Sequence, residues 1–205
     1  MAEVKLTKTE LRVQQLKYER LKKYLPTLQL KKAMLQMEVD QAQAEIQALN
    51  LSFQDASSYV EKYSSLFTDR GSSDLFAACE VVEVKTQFEN IAGVDIPIFD
   101  QVIFSPAVYS FFDTPIWFEA AIEGVKKLLT CKEKVKIAKQ KKRLLEKELR
   151  EVSIRVNLFE KILIPRSLDH IKKIKIFLGD QQLAAVCQAK VAKKKIQQRN
   201  EGKNA

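Results

Sequence analysis

Stepping alternately by three and four residues from Leu11 meets Leu11, Gln14, Tyr18, Leu21, Leu25, Leu28, Lys32, Leu35, Val39, Ala42, Ile46, Leu49, Phe53, Ala56, Val60, Tyr63 and Phe67. Only Gln14 and Lys32 are polar, and the register never slips. An apolar heptad sustained over this length specifies a coiled coil rather than one face of a globular helix. Thr7 or Thr9, with Glu10 following, can cap its start.

A second stripe runs through Leu128, Cys131, Val135, Ala138, Lys142, Leu145, Leu149, Val152, Val156, Phe159 and Leu163. Pro165 then interrupts it, and a proline inside a helix removes one hydrogen bond and crowds the preceding turn, at roughly 3 kcal/mol or more. The pattern resumes one residue out of phase at Ile164, Ile171, Leu178, Ala185 and Ala192. Such a slip predicts one continuous helix, bent and locally rewound at Pro165, rather than two helices.

Two helices of similar length separated by a shorter segment can lie back to back as an antiparallel hairpin. If Phe67 and Lys126 share one end, facing residue numbers add to about 193, give or take a turn or two. That register sets Lys32 near Glu160, Gln36 near Asn157, Glu38 near Arg155, and Pro26 level with Pro165. Partly exposed polar pairs are worth only ~0–1 kcal/mol each, so burial of the apolar seam dominates stability.

Between the helices TDRGSS (68–73) breaks the pattern. Val82, Val84, Ile91, Val94, Ile96, Ile98, Val102 and Ile103 suggest short strands, with Gly93 and Pro97 at turns or edges. The aromatic SPAVYSFFDTPIW reads as loop and leads back into helix. The predicted fold is mainly α: a long antiparallel two-helix coiled coil with a small mixed α/β head, containing a short β-hairpin, between the helices. Its expected parts are an N-terminal helix over 1–67, the head over 68–120, a C-terminal helix over 121–198 bent near Pro165, and a polar tail over 199–205. Five glycines and five prolines in 205 residues suit long elements with few turns.

The formal charge is +9, and Lys126 to Arg150 alone holds eleven basic residues against three glutamates. A second basic run is Lys190, Lys193, Lys194, Lys195, Arg199 and Lys203. Such runs suit acidic partners. Catalysis is not expected. There is no GxxxxGK[ST] or GxGxxG motif, and a single histidine, His170, leaves no Ser–His or Cys–His pair to spare. Cys79, Cys131 and Cys187 form no CxxC pair, so neither a zinc site, a disulfide framework nor a cofactor is expected. The charged start MAEVKLTKTEL lacks the core of a signal peptide, and no run approaches the ~20 apolar residues of a membrane span.

Three segments carry a resemblance. LTKTELRVQQLKYERLKKYL with LQLKKAMLQMEV resembles the opening helix of the D subunit of V-type and A-type rotary ATPases, in its bacterial form. NIAGVDIPIF resembles that family's NVxGVRxPxF hairpin. RVNLFEKILIPRSLDHIKKIKIFL resembles RRVNALExxxIPxLxxxIxxIxxxL through Arg155, Val156, Asn157, Glu160, Ile164 and Pro165. The first helix departs from the family at Lys31-Lys32-Ala33, where Lys-Arg-Asp is usual. GDQQLAAVCQAKVAKK lacks the acidic residues usual near the end.

The resemblance implies a noncatalytic rotor shaft that couples ATP turnover in a ring of A and B subunits to ion flow through a membrane ring. Its implied partners are the A/B hexamer, the F subunit on the side of the shaft, and the subunit capping the membrane ring. It also implies a cytoplasmic protein, peripheral to the inner face of the cell membrane, with no nucleic-acid partner. On this reading the seam and its register rest on Leu25, Leu28, Lys32, Leu35, Val39, Leu149, Val152, Arg155, Val156, Asn157, Phe159 and Leu163, with kinks at Pro26 and Pro165. Lys5, Lys8, Arg12, Lys190, Lys193 and Lys194 would meet the ring, and Asn90 to Phe99 would face the membrane side. A coiled-coil scaffold or chaperone-like protein without an ATPase would need the same two helices. A nucleic-acid binder is disfavoured by basic runs without aromatic interleaving.

Overall fold

The structure, a computed structural model, describes residues 5–68, 75, 78–106 and 114–201. Most of the TDRGSS break and of the SPAVYSFFDTPIW loop, and the end of the tail, lie outside the described residues. Helix α1 spans Lys8–Glu61 and continues through Pro26. Thr7 caps it: the Glu10 amide donates to Thr7 Oγ1 at 3.2 Å, and Glu10 Oε1 accepts from Gln14 Nε2 at 2.8 Å. A 3-10 helix over Ser64–Thr68 follows. Strands β1 (Val81–Ile91) and β2 (Val94–Phe104) form an antiparallel hairpin. Helix α2 spans Phe118–Leu158, a π-helical turn covers Phe159–Leu163, and α3 runs on without a gap over Ile164–Glu201.

Continuity through Pro165 is therefore as expected, and the π turn gives it a physical cause. The Ile164 amide donates to the Phe159 carbonyl five residues back. A π turn accommodates one extra residue, which advances the buried face by one position. Leu163 and Phe159 are half-buried on the old phase, whereas Ser167, Ile171 and Ile174 are buried on the new one.

Two compact units make up the chain: one holds Lys31–Val152, the other joins residues up to Leu30 with those beyond Val152. In the first, the α1 stripe meets the α2 stripe, and Leu35 and Leu145 are wholly buried. Gly124 lets the helices approach closely, since a Cβ there would lie 3.2 Å from the Tyr59 ring and 3.4 Å from Val60 Cγ2. Beyond it, Leu75, Ala78 and Cys79 form a small core with Phe118, Ala121 and Ile122, edged by Phe67 and Trp117.

The hairpin does not simply cap the end of the helix pair, as the sequence had suggested; it lies along it. Pro97, Ile98 and Phe99 share a groove with Leu49, Ile137 and Ala138. Lys134 Nζ stands 5.1 Å over the Phe99 ring and Lys126 Nζ 5.5 Å over that of Phe104. Its strands are 11 residues each rather than short. A lone two-stranded sheet is marginal in water, so β2 buries Ile96 and Pro97 inward, while β1 is exposed except for the half-buried Val81, Val84 and Ile91. Ala92 (φ 52°) and Gly93 (φ 81°) form the two-residue turn, where the Gly93 amide donates to Asn90 Oδ1 at 3.1 Å.

Candidate functional surfaces

Every position of the N-terminal stripe from Leu11 to Phe67 is buried or half-buried, including the polar Gln14 and Lys32. The same holds from Leu128 to Leu163. Of the residues proposed for seam and register, Leu35, Val39, Val152 and Val156 are buried, and Leu25, Leu28, Lys32, Leu149, Phe159 and Leu163 are half-buried. Arg155 and Asn157 are exposed.

The register differs from the sequence expectation. Lys31 Nζ pairs with Glu148 Oε1 at 2.9 Å, where a partner near residue 162 was expected. Lys141 Nζ pairs with Glu45 Oε2 at 3.1 Å, about two turns from residue 148 and at the edge of the expected range. Gln36 gives its amide to Asp40 on its own helix. The displacement is one to two heptads. In a heptad seam that slip keeps apolar residues opposite apolar residues, so the stripe alone cannot select between the alternatives. In the other unit, Phe159 lines a groove of about 560 Å³ with Leu16, Arg20, Leu21 and Tyr24, not with residues near 34. In an antiparallel pair this offsets Pro165 from Pro26, so the two prolines do not share a level.

Lys31, which enters the sequence reading only through the Lys31-Lys32-Ala33 departure, links α1, α2 and the hairpin tip in this unit. Besides holding Glu148, its Nζ lies 3.9 Å from where a Cβ on Gly93 would be, so the hairpin tip reaches this ion pair. Opposite charges flanking both stripes were the available signal, but only with the correct register in hand.

Burial in α3 ends early. Ile171 and Ile174 are buried, Leu178 is half-buried, and residues 179–199 are all exposed. Leu183, Val186, Val191 and Ile196 stand 52–68% exposed on that stretch, among Lys190, Lys193 and Lys194. Lys5, Lys8 and Arg12, at the other chain end, are exposed as well. Among the described residues no group of His, Cys, Asp or Glu could hold a metal ion, and no helix is long and apolar enough to cross a membrane. Cys79 donates weakly to the Ile122 carbonyl at 3.9 Å, and burial raises its thiol pKa, partly offset by Lys126.

Residues 10–194 match the family model that describes the ATP synthase D subunit. Relatives include the V-type ATP synthase D subunit of Chlamydia felis, 42% identical over 201 residues that cover 98% of this chain and 97% of the relative. That of Chlamydia abortus is 43% identical over 205 residues, with coverage of 98% and 97%. For the Chlamydia muridarum protein the figures are 42% over 201 residues, 98% and 99%.

Proposed function

The chain belongs to the family of ATP synthase D subunits, and from that premise we propose that it is the central-stalk shaft of a V-type ATP synthase, carrying rotation between ATP turnover and ion translocation. The observation that carries this reading is the match to V-type ATP synthase D subunits over nearly the whole chain, across both helices and the hairpin. A free-standing scaffold would share the helices alone.

On this reading the protein is noncatalytic. Its partners are the A/B hexamer, the F subunit and the subunit capping the membrane ring, and it sits at the cytoplasmic face of the membrane as part of the complex. The helices over 1–67 and 121–198 act as the shaft, and residues 68–120 as the head. A seam buried on both helices supports torque transfer, because twisting one helix against the other would expose apolar surface. The exposed apolar residues of 183–196, which no described part of the chain covers, suit enclosure by a ring. On this reading Lys5, Lys8, Arg12, Lys190, Lys193 and Lys194 serve as contacts to the ring. Individually weak, screened charge contacts permit rotation between positions.

The test is reconstitution of the ATPase with and without the tagged chain, reading ATP hydrolysis and ion pumping together. With the chain present, the two are coupled and the A, B and F subunits co-purify with it. Coupling that persists in its absence would overturn the assignment.

A further inference from the structure

On α2, cations recur at Lys132, Lys136, Lys139, Arg143, Lys147 and Arg150, in steps of three or four residues, and all six are exposed. Three- and four-residue spacing stacks them on one helix face, a track about 27 Å long at 1.5 Å per residue. Lys136 is held by Glu133 at 3.1 Å. The other five have no carboxylate partner among the described residues. Like charges at this spacing repel one another, so the arrangement costs the free chain stability.

Beside the track lies a groove of about 680 Å³ between the helices, lined by Gln43, Ile46, Val135, Lys139, Arg143 and Glu146, the last with its carboxylate already paired to Lys142 at 3.2 Å. Ile46 and Val135 form its apolar floor, 6% and 8% exposed. An apolar floor beside a straight row of cations matches one kind of surface: an amphipathic helix with an acidic stripe next to an apolar edge. We propose that this track docks an acidic amphipathic helix of a partner protein, its carboxylates spaced three and four residues apart and its apolar edge seated over Ile46 and Val135. Nucleic acid fits less well, because the groove offers no aromatic ring for a base to stack on. The inference rests on the geometry of α1 and α2 and not on the rotary reading.

The test uses the full chain and a fluorescein-labelled helical peptide of about 20 residues, long enough to span the track. The peptide carries Glu at three- and four-residue spacing beside a leucine edge. A second peptide has the same composition in scrambled order. The patterned peptide binds more tightly than the scrambled one, and Lys139→Gln with Arg143→Gln weakens it about tenfold, as loss of two adjacent ion pairs implies. Lys22→Gln with Lys23→Gln removes the same charge from exposed positions on α1 outside the track and leaves binding unchanged. Circular dichroism melting confirms that both variants fold. Equal binding of the scrambled peptide, or equal loss in the Lys22 and Lys23 variant, overturns the proposal. So does tighter, track-dependent binding of a single-stranded oligonucleotide or of phosphatidylserine vesicles, which would assign the track to phosphate ligands.

Discussion

Lys31 and Glu148 meet at 2.9 Å across the helix pair, both only partly exposed, at 32% and 25% of their side-chain surface. The hairpin tip closes over the same ammonium at Gly93. One ion pair thus joins three elements separated widely in the chain. Partial burial reduces screening and lifts the pair toward the upper end of the exposed range, about 1 kcal/mol. A double-mutant cycle with Lys31→Ala and Glu148→Ala, read by urea unfolding, should return a coupling of that size. Gly93→Ala should cost about 1–2 kcal/mol, because a Cβ disfavours the left-handed backbone that Gly93 adopts. That cost should be the same in the Lys31→Ala background, since 3.9 Å is ordinary contact and the penalty is backbone strain alone.

The seam should be far more sensitive than the outer face. Leu35 is fully buried, and truncation to alanine should cost about 2–5 kcal/mol through lost transfer energy and the cavity left behind. Met37, two residues on, is 72% exposed. Met37→Ala should change stability by no more than about 0.5 kcal/mol, as surface substitutions usually do. Thermal unfolding of the two variants measures the contrast.

What the sequence made legible follows from how local each signal is. The stripes announced both helices because seven-residue periodicity is written within each helix, and the slip after Leu163 announced altered winding there for the same reason, though not that it would be a π turn. Register was not legible. Moving one helix by seven residues preserves every apolar match, and the choice falls to contacts such as Lys31–Glu148, Glu45–Lys141 and Gly124 against Tyr59. Nor was the docking of the hairpin. Its valines and isoleucines mark strands, but which side is buried follows from Pro97, Ile98 and Phe99 meeting Leu49, Ile137 and Ala138, a relationship between segments.

Cys79 should respond to pH in a defined direction. Burial raises its thiol above the ordinary 9.0, so the folded state holds the proton more tightly than the unfolded chain does. The stability linked to this group is present below about pH 9 and is lost as pH rises through and beyond that value. Thiol labelling should follow the same order: Cys187, exposed on α3, reacts first, and Cys79 last. Mass spectrometry of a timed alkylation would read the order, and labelling of Cys79 as fast as Cys187 would show that its pocket is open.

The π turn yields the sharpest prediction. Before it the seam runs through Val152, Val156 and Phe159; after it, through Ile164, Ser167, Ile171 and Ile174. Removing one residue from the turn brings these two phases into a single three–four alternation. Ile162, 53% exposed, can be deleted without taking a side chain from the seam. The deletion variant should therefore fold with its apolar seam intact and the turn converted to α-helix. Pro165 would then sit in an ordinary helix interior, where its ring meets the carbonyl four residues back at a cost of roughly 3 kcal/mol. Deletion alone should lower stability, and deletion combined with Pro165→Ala should restore it. Pro165→Ala in the full-length chain should change stability much less, because the wider turn already relieves that clash. Urea unfolding of the three variants separates the cases. If the deletion is no better tolerated with alanine at 165 than with proline, the turn serves something other than the phase of the seam.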